Sequence, residues 1–488
     1  MDDFTIVVVG GTPPDHPPHP ALTDIWPRVA AVLRHYAWLN TDEALIRAFQ
    51  HGVVRDGNFL VPSLFGEGGD LCRQSYALQN VVFYRFPDGA LEYFWVTAQL
   101  DRCYGLGALY FPGCRLVLSL YPFGITQGLM DAFERVRAGI GRPAPTGHGV
   151  PTGPVVVSGY FHIIHHLWNE LPAVERAVVA GLAPKLSINA LYQPLGPLEE
   201  LFPELKGRVQ PATDAELMAR HGQVQMFTAL GAWTIPAVTQ ARVVAVAGRH
   251  TNVDTLAEQQ RFRARHFPVF WVSVKPPQRT CEDQSKVLAA LIEQLGARWP
   301  SAGFLLDGVS FPWDFDTNGN YPGWFGDMLG EAADKTAAIM DDVVVRLSPA
   351  VWDRVRTVSR VSVMTEITWA RTADFYVCHG GSMQNKVGWL HRIPGVVHSN
   401  TSFMAGARFM IPPVENDTTP TFFLPDDLIV DDDRSNYTAH QLARKDQNYR
   451  FVSGTALADF VVGSFLSLDL SPDRKTPGLA GTAGDDVA

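Results

Sequence analysis

Three histidines and a glutamate that could move a proton lie close together in the segment Gly159-Tyr160-Phe161-His162-Ile163-Ile164-His165-His166-Leu167-Trp168-Asn169-Glu170-Leu171-Pro172. Helical spacing sets His162, His165, His166 and Asn169 along one side, with Glu170 one turn beyond His166. A neutral imidazole takes a proton from a hydroxyl near neutral pH, and a carboxylate can do the same or hold an imidazole in orientation. His165, His166 and Glu170 are therefore the candidate catalytic groups, while His162 is expected to be structural. A shared zinc is not expected, because the His-Glu-x-x-His order is missing and His165 and His166 point about 100° apart on a helix.

A second group of residues is suited to binding an anion. Ala373 to Cys378 reads as a buried strand, followed by a turn at His379, Gly380 and Gly381 and a helix opening on Ser382. Such a turn presents unpaired backbone N–H groups and a helix dipole to a phosphate, with glycines that let the backbone come close. Ser382 can cap the helix, and Gln384 and Asn385 offer amides to a sugar or base. Upstream, Lys275-Pro276-Pro277-Gln278-Arg279 follows the apolar run Val269 to Val274. A cation at a strand C-terminus, Lys275 or Arg279, can neutralise a leaving diphosphate. The alternatives are an ordinary strand-to-helix turn and a solvated loop charge.

Taken in order, the two motifs resemble those of the glycosyltransferase family that includes plant xylan xylosyltransferases and animal O-linked N-acetylglucosaminyltransferases. That family carries an early Asn-Tyr-x-His-Trp-x-x-Asp/Glu-x-Leu-Pro segment and a late His-Gly-Ala-Gly-Leu-Thr-Asn segment. The family histidine falls on His165, the acidic position on Asn169 with Glu170 beside it, and Leu-Pro on Leu171 and Pro172. In the late motif His379, Gly380 and Asn385 match, whereas Gly381, Ser382, Met383 and Gln384 depart. The family stretch Pro-Pro-Gly-x-x-Val-x-Glu survives as Ile393-Pro394-Gly395-Val396-Val397-His398 without its glutamate. The resemblance spans roughly residues 155 to 400. It implies a GT-B architecture and a nucleotide-sugar donor held in the second lobe.

A chain of 488 residues exceeds what one core serves, so several domains are expected. Strand and helix patterns alternate from Val155 onward: the histidine helix, Leu186 to Tyr192, a helix near Ala215 to His221, the run Ala241 to Ala247, Val269 to Val274, a helix from Asp283 to Leu295, Gly303 to Asp307, Val343 to Leu347 and Ala373 to Cys378. Such alternation implies parallel sheets with the site at the strand C-termini. The expected fold class is α/β, two Rossmann-like lobes facing a cleft (GT-B type) with an N-terminal mixed α+β module. The boundaries are 1–145 for the module, 155–265 for the first, acceptor-side lobe, 266–470 for the second, nucleotide-sugar lobe, and 471–488 for a disordered tail. A Gly/Pro-rich linker, Gly139 to Pro154, ends the module. Thr5 to Gly11 opens with a strand, but the Pro13-Pro14 that follows cannot start a dinucleotide-binding helix.

A net charge of −10 argues against a nucleic-acid binder. Five widely spaced cysteines, odd in number and without a Cys-x-x-Cys pair, point to a reduced, cytoplasmic setting. The acidic start Met1-Asp2-Asp3 is unlike a signal peptide, and no membrane span is expected. The expected function is an inverting, metal-independent hexosyl- or pentosyltransferase that needs no cofactor. Its partners are a nucleotide-sugar donor and a glycan or glycosylated acceptor. Asp314-Phe315-Asp316 superficially suggests a metal motif but lies in a Pro/Gly/Asn-rich loop. A sugar-nucleotide epimerase, a glycan phosphorylase and a non-catalytic glycan-binding protein remain open.

Overall fold

The structure is a computed structural model. It describes residues 3–468 apart from 11, 73, 79–80, 87–91, 98–105, 122–124, 140–153, 222–225, 276–278, 408–413, 439–440, 443–444 and 454. The expected linker and the expected tail thus fall wholly or mostly outside the described residues.

The N-terminal module is built on β1 (Thr5–Val8), β2 (Phe59–Pro62), β3 (Gly69–Cys72), β4 (Gln74–Leu78), β5 (Val81–Phe86), β6 (Tyr93–Thr97), β7 (Leu106–Phe111) and β8 (Leu116–Ser119). Six of them form one sheet in the order β1-β8-β7-β6-β5-β4, with β1 parallel to β8 and the remaining neighbours antiparallel. The strands read as near-continuous apolar runs because helices cover both faces. Trp26, Val29 and Tyr36 of the helix Trp26–Leu39 pack with Tyr84 and Trp95 on one face. Met130 and Phe133 of the helix Gln127–Gly139 pack with Phe83 and Phe94 on the other. Each such ring contributes about 1.5–3 kcal/mol by leaving water.

The first lobe holds β9 (Val155–Ser158), β10 (Ser187–Ala190), β11 (Val209–Pro211) and β12 (Phe227–Thr228), all parallel, in the order β11-β10-β9-β12. Its edge strand β12 lies against β4 of the module. Ser75 Oγ accepts from the Phe227 N–H at 2.6 Å and donates to the Phe227 carbonyl at 2.8 Å. One hydrophobic core runs from Tyr84 and Trp95 to Val155, Val157 and Phe227, so module and lobe share it.

The second lobe is a six-stranded, fully parallel sheet: β13 (Val269–Ser273), β14 (Gly303–Asp307), β15 (Val355–Val358), β16 (Phe375–His379), β17 (Gly395–His398) and β18 (Thr421–Phe423). Its order, β15-β14-β13-β16-β17-β18, runs outward in one direction from β13 and then in the other from β16. A sheet that reverses in this way opens a crevice at the C-terminal ends of the two central strands. The antiparallel pair β19 (Ile429–Asp431) and β20 (Tyr449–Phe451) closes one side. The lobes meet where Val243 and Val246 of the helix Ala237–His250 pack on Val363, Met364 and Ile367 of the helix Val363–Ala370.

Two expected strands are helices. Ala241 to Ala247 lies inside Ala237–His250, and Val343 to Val345 is the last turn of the helix Gly323–Val345. Short apolar runs do not distinguish strand from buried helix, and β-branched Val345, 82% exposed, takes the helical state its neighbours impose. Among the described residues no helix is long and apolar enough to cross a membrane.

Candidate functional site

The chain is an α/β protein with two parallel-sheet lobes and a mixed N-terminal module, the architecture expected for the GT-B type. Its reversal point brings several of the expected donor-side residues together. Lys275 follows β13 and His379 ends β16, so both sit at the mouth of the crevice. Arg279 turns back with a left-handed φ of 55° and lays its guanidinium 4.6 Å above the Phe403 ring. Burial, then the neighbouring Arg279, lowers the Lys275 pKa to about 8. His379 is buried, and desolvation followed by the charges of Lys275, His398 and Arg279 keeps it neutral. Its Nδ1 lies 2.8 Å from the Gly380 carbonyl and its Nε2 3.2 Å from Ser399 Oγ. An acceptor carbonyl at Nδ1 selects the tautomer protonated there.

The glycine turn is tighter than an open phosphate cradle. A Cβ on Gly380 would come within 2.6 Å of Phe403 Cε1, so packing as well as ligand approach demands glycine there. Gly381 needs its φ of 110°. The regular helix expected to open on Ser382 is instead a 3₁₀ turn, Ser382–Gln384, followed by a π turn, Asn385–Trp389. Such π turns are frequent at functional sites. Gln384 Oε1 and Asn385 Oδ1 are buried and have no hydrogen-bond partner.

Lys386, the next residue, belongs to a group with no sequence signal. Its buried ammonium donates to Asp307 Oδ1 at 2.6 Å, Glu366 Oε2 at 2.5 Å and the Gly308 carbonyl at 3.3 Å. Burial pushes both carboxyls up, Glu366 to about 8 and Asp307 to about 6, with Lys386 pulling in the opposite direction. At neutral pH the two carboxyls thus share about one unit of negative charge, which the ammonium balances, and Glu366 retains most of a proton.

On the first lobe, the helix begins at Ile163, so His162 lies on the turn before it with extended backbone. The stretch His166–Glu170 is a π turn. Glu170 is buried and fully engaged. Oε1 accepts from the Gly159 and Tyr160 N–H groups at 2.8 and 3.2 Å, and Oε2 accepts from Ser158 Oγ at 2.8 Å and pairs with His166 Nδ1 at 2.7 Å. His166 has no exposed surface. These two expected catalytic groups hold the turn after β9. Asn169 donates to the Ala232 carbonyl at 2.8 Å, which turns its Oδ1 toward His165 Nδ1 at 3.0 Å. Donation from Nδ1 leaves the His165 Nε2 lone pair free to accept.

The two lobes enclose a cavity of about 190 Å³. Phe161 to Ile164 line it from the first lobe, and Gly308 to Ser310, Met383, Asn385 and Lys386 from the second. His162, expected to be structural, is on its wall; His165 stands behind it, 6.2 Å away between ring centres. His162 meets cleft solvent, yet protein surrounds most of the ring. That crowding, then His165, lowers its pKa to about 4, so the imidazole is neutral at physiological pH. Nothing in the sequence singled out His162, because helical spacing puts it on the same helix as His165, whereas the helix starts at Ile163.

Asp314 of the loop after β14 is buried. Its carboxylate accepts from the Gln193 N–H, Asn318 Nδ2 and Tyr321 Oη at 2.7 to 2.9 Å, joining that loop to the first lobe. Among the described residues no group of His, Cys, Asp and Glu is arranged to hold a metal.

No family model and no curated protein matches the chain. Solved structures similar to it include a glycosyl transferase of family 9 from Veillonella parvula, with TM-score 0.35, 11% identity and coverage of 66% of this chain and 99% of that one. They also include the UDP-GlcNAc 2-epimerase of Methanocaldococcus jannaschii (0.25, 12%, 65% and 77%) and S. aureus MnaA in complex with UDP (0.23, 10%, 50% and 58%). At these TM-scores the likenesses carry no argument about ligand or reaction.

Proposed function

We propose that the chain is a glycosyltransferase that moves a sugar from a nucleotide-sugar donor to a hydroxyl acceptor in one inverting displacement. The observation that carries this reading is the placement of two opposite chemistries on the two lobes. Cations gather at the reversal point of the second sheet, and a neutral imidazole faces the inter-lobe cavity from the first lobe. The donor diphosphate is assigned to Lys275, Arg279 and the turn from His379 to Asn385. The acceptor oxygen attacks the anomeric carbon, and the bond from that carbon to the diphosphate oxygen breaks. The leaving oxygen carries its electron pair away as an anion, which the two cations stabilise. The acceptor proton passes to an imidazole nitrogen.

His162 is assigned as that base because it lines the cavity, with His165 the competing candidate because Asn169 leaves its Nε2 free to accept. Glu170 and His166 position the turn that carries them. The test is calorimetric titration with UDP, GDP, ADP and CMP, followed by assay of free nucleoside diphosphate with and without acceptor. Binding of one nucleotide together with acceptor-dependent release supports transfer. No binding by any of the four would refute it, and release of nucleotide without acceptor would favour epimerase or hydrolase chemistry.

A further inference from the structure

The walls of the inter-lobe cavity are poor in polar groups. Nine of its fourteen lining residues are apolar, Phe161, Ile164, Val309, Phe325, Leu329 and Met383 among them. Its polar members are His162, Ser310, Asn385 and Lys386. Lys386 is spent: its three N–H donors are taken by Asp307, Glu366 and the Gly308 carbonyl. Two carboxyls lie directly behind that wall, so a ligand carboxylate would find no free cation and would face them. The apolar surface continues out of the cavity. Trp324 and Met328, one turn apart on the helix Gly323–Val345, are 59% and 42% exposed, and the Trp324 ring lies 5.8 Å from that of Phe161.

A free sugar ring carries a hydroxyl on most of its carbons, and each one stripped of water without a partner weakens binding. His162, Ser310 and the unpartnered Asn385 Oδ1 suffice for one reacting hydroxyl and little more. Pockets of this kind recognise an apolar body fixed by a few convergent polar contacts. Resting on the transferase reading, we infer that this cavity receives the acceptor, and that the acceptor presents its hydroxyl on an uncharged alkyl or aryl carrier rather than as a free oligosaccharide. The carrier leaves the cavity over Trp324 and Met328.

The test titrates octyl β-D-glucoside, methyl β-D-glucoside and a linear glucan tetramer into the full chain by calorimetry, below the micelle concentration of the octyl compound. The two glucosides share their hydroxyls and differ in the tail. Octyl glucoside should bind at least tenfold more tightly than methyl glucoside. Leu329→Asp and Trp324→Ser should each weaken octyl binding at least fivefold, and Trp324→Ser, at an exposed site outside the cavity lining, should leave methyl glucoside unchanged and decides the matter if Leu329→Asp does not fold. Equal affinity for the two glucosides, tighter binding of the tetramer, or unchanged octyl binding in folded variants would overturn the inference. UDP, GDP, ADP and CMP titrated into the same proteins separate the two readings. Retained binding of one nucleotide without a tail preference removes this inference alone, whereas binding of none of the four by the wild type removes the transferase reading.

Discussion

Replacing Lys386 by Met should destabilise the second lobe by an amount that grows with pH. In the native protein the ammonium is within 2.6 Å of Asp307 and 2.5 Å of Glu366, all three buried. Removing one partner of a buried ion pair costs about 3–5 kcal/mol when the charge left behind cannot escape. A carboxylate can escape by taking a proton, so the cost depends on pH. Burial raises the pKa of both carboxyls in the folded chain, to about 6 and about 8. The stability they contribute is therefore complete below their unfolded values, near 4, and is lost as pH rises through the folded ones. Without Lys386 both carboxyls hold their protons to still higher pH. Between about pH 6 and 8 the variant's two carboxyls then hold roughly one more proton than the wild type's, and because Lys386 is protonated in both the folded and unfolded wild type, the penalty should grow by about 1.4 kcal/mol per pH unit. Urea unfolding at pH 5.5, 6.5 and 7.5, read on the transition that the substitution shifts, measures this directly. Glu366→Gln keeps an oxygen for Lys386 Nζ and removes the upper titration, so it should cost under about 1 kcal/mol near neutrality and flatten the curve. A penalty that is constant with pH, or a Lys386→Met protein as stable as wild type at pH 7.5, would refute the reasoning.

Gly380→Ala should cost about 1–3 kcal/mol by forcing its Cβ onto Phe403. Phe403→Leu in the same chain should recover part of that in a double-mutant cycle, and purely additive losses would show that the contact does not matter. Affinity for a nucleoside diphosphate should fall as pH rises past about 8, where Lys275 loses its proton, and a flat calorimetric profile from pH 7 to 9.5 would remove Lys275 from the site. His162→Gln should lower transfer at least ~100-fold with nucleotide affinity unchanged; if only His165→Gln does so, the base is His165. Glu170→Gln should cost about 2–3 kcal/mol, because four donors around it lose a charged acceptor, and an unchanged melting temperature would contradict its role in holding the turn after β9.

The second lobe could be read in large part from local pattern. Val269 to Val274, Gly303 to Asp307 and Ala373 to Cys378 are largely apolar runs, the composition that strands buried on both faces of a sheet carry. Parallel pairing then sends Lys275 and His379 to the same edge whatever the detailed packing, because both follow strand C-termini. The i,i+4 pairing of His166 with Glu170 was likewise set by helical spacing. Tertiary structure decided the rest. Asp307, Glu366 and Lys386 have no shared motif, and they meet only because β14, β13 and β16 are ordered side by side while the helix carrying Glu366 crosses beside them. His162 was assigned to the same helical face as His165, but the helix starts one residue later and continues through a π turn. A shift of one residue rotates a side chain by about 100°, enough to separate cavity wall from interior. Val343 to Val345 and Ala241 to Ala247 became helices because long-range packing, absent from any local window, outweighs the fraction of a kcal/mol per residue that intrinsic preference supplies.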